Sequence, residues 1–153
     1  MQRKEFLKAK PTRDASRLTV GIVLAEFNPD ITESMLEGAR KALHEWKVSP
    51  KNIKIFRVYG SFDLTYACDR MIKSHKPHAV IALGCIIKGE TDHDRYIASA
   101  VTHGLTDLAI KHGIPVSLGI LTTNNLAQAR TRSRGKTNHG EKAAVAALQA
   151  ALL

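Results

Sequence analysis

Four short apolar segments recur along the chain, and each is rich in the aliphatic and β-branched residues that favour strands. They are, in chain order, residues 18–24, 53–58, 78–83 and 115–121. Because they are largely apolar instead of alternating with polar residues, they are typical of strands that are buried on both faces. The pattern therefore predicts four strands of an enclosed sheet.

Segments with helical periodicity separate the predicted strands. In residues 30–46, the apolar side chains fall on one stripe at helical spacing, and Asp30 or Thr32 is a candidate N-cap. The stripe consists of Ile31, Met35, Leu36, Ala39, Ala42, Leu43 and Trp46. Further helices are predicted for residues 61–75, 92–112 and 141–153.

The alternation of strands and helices has a topological consequence. It predicts an α/β fold with a parallel sheet, right-handed crossovers and helices on both faces. Ligands of such sheets bind beyond the carboxyl ends of the strands. We therefore expect the functional residues in four loops, which begin near Ala25, Tyr59, Gly84 and Thr122.

Length and composition indicate a single domain. The chain has 153 residues, of which 44% are hydrophobic, enough for one compact core. Residues 1–17 show no periodicity, so we expect an N-terminal arm, either disordered or paired with a neighbouring subunit, ahead of a domain at 18–153. No apolar run approaches the ~20 residues of a membrane span, and the charged N-terminus lacks the apolar stretch of a signal peptide, which favours a cytoplasmic protein.

The formal net charge of +9 admits several partners. Nucleic acid is disfavoured because the basic residues are spread along the chain and aromatic residues make up only 5%. The charge is densest at the N-terminus and in residues 130–142. Two interpretations remain open, namely a solvated surface and attraction of small anionic substrates.

The cysteines and histidines do not form a metal motif. Cys68 and Cys85 lack CxxC spacing, and none of the seven histidines belongs to an HExxH motif. We therefore expect two reduced thiols and no metal site.

Candidate phosphate chemistry follows the third predicted strand. Gly84 and Gly89 allow the backbone to approach a ligand, and N–H groups at a helix start near Thr91 can bind phosphate. The alternative is an ordinary helix cap made by Thr91 or Asp92. His93 is expected one turn into this helix, where it is either a proton carrier or a surface histidine.

The loops after the first two strands carry candidate binding residues. Gly60 and Ser61 can offer backbone groups to a heterocycle, Asp63 can accept hydrogen bonds from ligand hydroxyls, and Phe27 can stack on an aromatic ring. The alternatives are a turn at Gly60, an N-cap at Asp63, and core packing for Phe27 and Phe62.

In combination these segments resemble a known family. Residues 20–152 are similar to lumazine synthase in the ordered motifs GSFDL, ALGCIIKGETDHDRYI, GIPVSLGILTTN and QARTR. The resemblance implies an α/β three-layer sandwich with a four-stranded parallel sheet in flavodoxin-like order. It also implies condensation of 5-amino-6-(D-ribitylamino)uracil with 3,4-dihydroxy-2-butanone 4-phosphate, giving 6,7-dimethyl-8-ribityllumazine, phosphate and water without cofactor or metal.

The resemblance implies site residues by position. His93 would transfer protons, and the phosphate would lie at Glu90 and Thr91, while Leu118 and Arg132 would come from a neighbouring subunit. The pocket residues implied are Phe27, Ser61, Phe62, Asp63, Cys85, Ile86 and Ile87. A shared site implies a homo-oligomer, as a pentamer, a decamer or a sixty-subunit icosahedral capsid, and riboflavin synthase is a further candidate partner.

Four positions depart from the family pattern. Tyr59 replaces the proline of a VPG-type turn, Asp63 a glutamate, Leu118 a frequent phenylalanine and His139 a lysine. Such changes can weaken substrate binding without altering the fold. Two other functions stay open at this point, a non-catalytic shell or ligand carrier on the same fold and a nucleic-acid-binding shell.

Overall fold

The computed structural model describes residues 14–153. Residues 1–13 of the expected arm lie outside the described part. Ala15, in the described end of that arm, lies against the domain, because it is fully buried and its backbone N–H donates to the Trp46 carbonyl oxygen at 3.2 Å. The same part of the chain has no helix that is both long and apolar enough to cross a membrane.

Strands and helices alternate along the described chain. The strands are β1 (Val20–Ala25), β2 (Ile53–Val58), β3 (Ala79–Ile87) and β4 (Val116–Thr123). The α-helices are α1 (Pro29–Glu45), α2 (Leu64–His75), α3 (His93–His112), α4 (Leu126–Arg132) and α5 (His139–Ala151). Short 3₁₀ turns lie at Pro50–Asn52, Ser61–Asp63 and Gly135–Thr137.

The four strands form one parallel sheet in the order β2-β1-β3-β4, which confirms the predicted three-layer α/β fold in flavodoxin-like order. Alternate residues of β1 serve opposite faces. Ile22 and Leu24 pack into the core formed with α1 and α5, whereas Val23 and Ala25 pack into the core formed with α2 and α3. Because all four strands are parallel, their carboxyl ends lie at one edge of the sheet.

Helix α1 buries the stripe that its sequence predicts, since every apolar residue of that stripe is at most 3% exposed. Its start differs from the prediction. The N-cap is Asn28, in the left-handed region at φ 64°, and Pro29 occupies the first turn. Proline suits that position because its fixed φ is helical and no N–H is needed there, so the helix begins before Asp30 and Thr32.

The end of one strand and the presence of one helix differ more strongly from the prediction. Strand β3 does not end before Gly84 but continues to Ile87, because β4 stays paired with it in register as far as Thr123. Helix α4 was not predicted. It has only 7 residues and one buried side chain, Ala129, so its sequence shows too little apolar periodicity.

Candidate functional site

A pocket of about 540 Å³ opens at the carboxyl edge of the sheet. It lies among the loops after β1 and β2, the last residues of β3 and the first turn of α3. Its lining residues are Phe27, Asn28, Tyr59, Gly60, Ser61, Phe62, Asp63, Cys85, Ile86, Ile87, Gly89, Thr91, His93, Asp94 and Ile97. Nine of the site residues expected from the sequence are therefore gathered in one place, and Glu90, Leu118 and Arg132 are not among the lining residues.

Aromatic rings border the pocket. Phe27 and Phe62 are 57% and 65% exposed, so the alternative of core packing is wrong for both. Tyr59 is 80% exposed and lies beside Phe27, with ring centroids 6.0 Å apart and planes inclined by 57°. Exposed aromatic side chains around a concavity are typical of a binding site for a flat apolar or heterocyclic group.

The loop after β1 is held on both sides by hydrogen bonds. The Phe27 N–H donates to the Tyr59 carbonyl at 2.9 Å, which joins it to the loop after β2. The Asn28 side-chain amide donates to the Cys85 carbonyl at 3.2 Å, which joins it to β3. The position of the Phe27 backbone is thus fixed relative to two other walls of the pocket.

The loop after β2 forms one wall of the pocket and contains a buried hydroxyl group. The Asp63 carboxylate accepts from the Gly60 N–H at 3.1 Å and closes the turn. Ser61 is 7% exposed, and its hydroxyl has no hydrogen-bond partner among the described residues. It lies over Gly84, where an added Cβ would come within 2.6 Å of Ser61 Oγ. A buried hydroxyl without a partner is costly for the fold.

The turn between β3 and α3 forms the polar end of the pocket. His93 is the first residue of α3 and not one turn inside it, and its N–H donates to Thr91 Oγ1 at 3.3 Å. Asp92 occupies the N-cap position without a side-chain capping bond, so Thr91 is the residue that contributes a side-chain oxygen to this helix start. The positive end of the α3 dipole therefore faces the pocket at His93.

Charged side chains surround this turn. Lys88 Nζ lies 3.7 Å from a carboxylate oxygen of Asp92 and 3.7 Å from one of Asp94. The same Asp94 oxygen is buried and has no hydrogen-bond partner among the described residues. Lys88 thus offsets two negative charges beside the helix start.

Cys85 lines the pocket but has the wrong electrostatics for a nucleophile. Its side chain is 2% exposed, and burial, with a smaller contribution from Asp30, raises the pKa of the thiol to about 11. A thiol attacks as its thiolate. Cys85 is therefore a neutral wall residue near neutral pH.

Leu118 and Arg132 lie away from the pocket lining of the single chain. Leu118 is on β4 and 47% exposed, and Arg132 ends α4 with its guanidinium donating to the Gln128 carbonyl at 3.2 Å. The sequence expectation was that both reach the site of a neighbouring subunit. Leu118 is exposed and Arg132 is partly buried in the single chain.

Sequence reasoning missed some of the lining residues. Asn28 was overlooked because Asn-Pro reads as a simple turn, although asparagine tolerates the left-handed conformation that this loop needs. Ile97 was overlooked because its position on α3 looks like ordinary core spacing.

Among residues 14–153, no group of three or more His, Cys, Asp or Glu side chains is arranged to hold a metal ion.

Comparison with known proteins points to one family. The profile of the 6,7-dimethyl-8-ribityllumazine synthase family matches residues 17–153. The 6,7-dimethyl-8-ribityllumazine synthase of Parabacteroides distasonis is 44% identical over 137 residues, which cover 89% of this chain and 86% of that protein. The proteins of the same name from Porphyromonas gingivalis and Christiangramia forsetii are 44% and 42% identical, over 88% and 92% of this chain and 84% of each relative.

Proposed function

The chain belongs to the 6,7-dimethyl-8-ribityllumazine synthase family, and on that premise we propose that it condenses 5-amino-6-(D-ribitylamino)uracil with 3,4-dihydroxy-2-butanone 4-phosphate. The products are 6,7-dimethyl-8-ribityllumazine, phosphate and water, the penultimate step of riboflavin biosynthesis. The observation that carries the proposal is a single pocket with an aromatic rim at one end and the start of α3 with His93 at the other.

The aromatic end suits the uracil substrate. Phe27 would lie against the pyrimidine ring, since its exposed ring lines the pocket and its backbone is fixed by the neighbouring loop. Gly60 and Ser61, which line the pocket, would offer backbone groups to the ring. Phe62 and Asp63 would border the ribityl chain, and residues 85–87 would form the floor.

The helix start suits the phosphorylated substrate. Backbone N–H groups around Glu90 and Thr91 would bind the phosphate, which the positive end of the α3 dipole also favours. The family resemblance assigns Glu90 a contribution through its backbone N–H, although Glu90 is not among the lining residues of the pocket. His93 would then stand beside the reacting carbon atoms and transfer protons.

Most of the rate acceleration would come from positioning. The uracil amine attacks the ketone to form an imine with loss of one water, and phosphate is eliminated. The ribitylamino nitrogen then attacks the remaining carbonyl, and loss of a second water from that adduct completes the ring. Holding the two substrates together can lower the barrier by ~7–11 kcal/mol, whereas a proton-transfer group contributes a factor of roughly 10²–10⁴. Two binding subsites in one pocket are therefore the larger part of the mechanism.

We also propose that the site is completed by a second copy of the chain. Leu118 would close the uracil end, and Arg132 would bind the phosphate with its planar fork of donors. A site shared in this way would require a homo-oligomer, and we propose a pentamer or a multiple of pentamers. A cytoplasmic location fits because both substrates are polar and cross a bilayer poorly, and riboflavin synthase, which would consume the product, is the proposed partner.

A steady-state assay with both substrates tests the proposed function. The enzyme should form product, detected by its absorbance, whereas a non-catalytic shell on the same fold should form none. Arg132→Ala should raise the KM for the phosphorylated substrate, and Arg134→Ala, a nearby arginine with no assigned role, is the matched control. An unaltered KM in Arg132→Ala would remove Arg132 from the site.

A further inference from the structure

Tyr59 has an unusual environment for a large side chain. It is 80% exposed although it lies at the end of a half-buried strand, and it lines the pocket. Its backbone carbonyl accepts from the Phe27 N–H at 2.9 Å, so the residue is anchored at the pocket wall. The ring therefore lines the pocket from an exposed position and does not fill the core.

The rings of Tyr59 and Phe27 form an aromatic pair at the pocket. Their centroids are 6.0 Å apart, within the 4.5–7 Å range of interacting aromatic pairs, and their planes are inclined by 57°. Rings this close and this inclined leave no room for a third ring between them. A ligand ring that lies on Phe27 would instead meet Tyr59 at its border.

We propose that Tyr59 is a further binding residue for the heterocyclic substrate, adding an aromatic contact at the border of a ligand ring that lies on Phe27. The assignment rests on the proposed function. In the related VPG-type turns a proline stands at this position and offers no aromatic face. The substitution thus exchanges a stiffening residue for apolar contact area, while the two backbone hydrogen bonds from Glu26 and Phe27 to this segment keep the loop in place.

The proposed contact is selective for one end of the pocket. Tyr59 belongs to the loop after β2, whereas the helix start that suits phosphate follows β3. Removing the ring should therefore weaken binding of the heterocycle and leave anion binding unchanged. The loss expected for one aromatic contact is about 3- to 10-fold in affinity.

Equilibrium binding to the full-length protein tests this assignment without depending on turnover. Two probes are titrated calorimetrically, 6,7-dimethyl-8-ribityllumazine for the aromatic end and inorganic phosphate for the helix start. The variants are Tyr59→Ala, Tyr59→Leu and Tyr59→Phe, with Tyr66→Ala as matched control, because Tyr66 is an exposed tyrosine of α2 outside the pocket.

The expected result is a 3- to 10-fold higher Kd for the lumazine in Tyr59→Ala and Tyr59→Leu, with wild-type values in Tyr59→Phe and Tyr66→Ala and an unchanged Kd for phosphate. Wild-type lumazine affinity in Tyr59→Ala or Tyr59→Leu, or an equal loss for both probes, would overturn the assignment. Wild-type protein that binds the lumazine but forms no product would contradict the proposed function alone.

Discussion

At the scale of single residues, His93 is the residue to which the proposed function assigns proton transfer. The His93 backbone N–H donates to Thr91 Oγ1 at the start of α3, which fixes the position of the His93 backbone. The residue lines the pocket. A proton-transfer group placed in this way accelerates a reaction whose substrates are already bound next to each other. Its removal should slow the chemistry without preventing binding.

We predict that His93→Ala lowers kcat by roughly 10²–10⁴-fold and leaves measurable turnover, because positioning by the rest of the pocket is retained. Steady-state kinetics with both substrates measures the effect. His103→Ala is the control, since His103 is an exposed histidine of the same helix outside the pocket. Unchanged turnover in His93→Ala would exclude it from the reaction.

The two thiols should be almost unreactive in the folded protein. Burial raises the pKa of Cys68 to about 12 and that of Cys85 to about 11, whereas an unfolded cysteine titrates near ~8.5. The thiolate fraction, and with it the alkylation rate, should rise as the pH approaches these values. Iodoacetamide labelling followed by mass spectrometry measures this; labelling at neutral pH as fast as in denaturant would contradict it.

Some site residues could be recognised from the sequence and others could not. Phe27, Ser61 and Thr91 follow strand ends directly, so the parallel topology alone predicts that they meet. The exposure of Phe62 and the contact between Tyr59 and Phe27 depend on side-chain directions, which a pattern of hydrophobic positions does not contain.

At the scale of secondary structure elements, Asn138 connects three helices. Its side-chain oxygen, Oδ1, accepts from the backbone N–H groups of Gly140 and Glu141 at the start of α5, at 2.9 and 3.3 Å. Its side-chain amide, Nδ2, donates to the backbone carbonyls of Ser34 in α1 and Ser133 after α4, at 2.9 and 2.8 Å. Helix α4, which carries Arg132, is thereby tied to the rest of the domain.

Replacing Asn138 by alanine should destabilise the fold by about 2–4 kcal/mol, because an N-cap is lost and largely buried carbonyl groups lose their donor. Chemical denaturation measures the change. Asn125→Ala is the matched control, since that asparagine caps α4 through one side-chain acceptor bond and should cost about 1 kcal/mol. Equal losses in the two variants would show that the interhelical bonds contribute nothing.

The elements were predicted where apolar periodicity is strong and missed where it is weak. Helix α1 was recognised because its buried stripe spans the whole helix, whereas α4 is short and held by polar contacts such as Asn125 and Asn138. The end of β3 was placed too early because Gly84 resembles a turn residue. In the structure Gly84 is needed inside the strand, since Ser61 and Leu64 pack against it.

At the scale of the whole molecule, the sheet brings nine of the expected site residues together at one of its edges. His93 and the aromatic rim belong to that edge, while Leu118 and Arg132 lie outside the pocket lining. If a neighbouring copy supplies the latter two, no isolated chain has a complete site. The sequence motifs indicate a site shared between subunits only through family resemblance, because the pattern of a single strand or helix does not determine the angle between subunits.

The central claim is that an intact site combines His93 of one chain with Arg132 of another, and a complementation assay tests it most directly. His93→Ala and Arg132→Ala chains are co-expressed in equal amounts so that mixed assemblies form, and product formation is measured at low concentration of the phosphorylated substrate. Each variant expressed alone is the control.

In random mixtures, about a quarter of the interfaces combine an intact histidine with an intact arginine. The mixed assemblies are therefore predicted to reach about a quarter of wild-type activity, well above the mean of the two variants alone. An activity equal to that mean would contradict the shared site, since it would show that each chain uses its own His93 and Arg132.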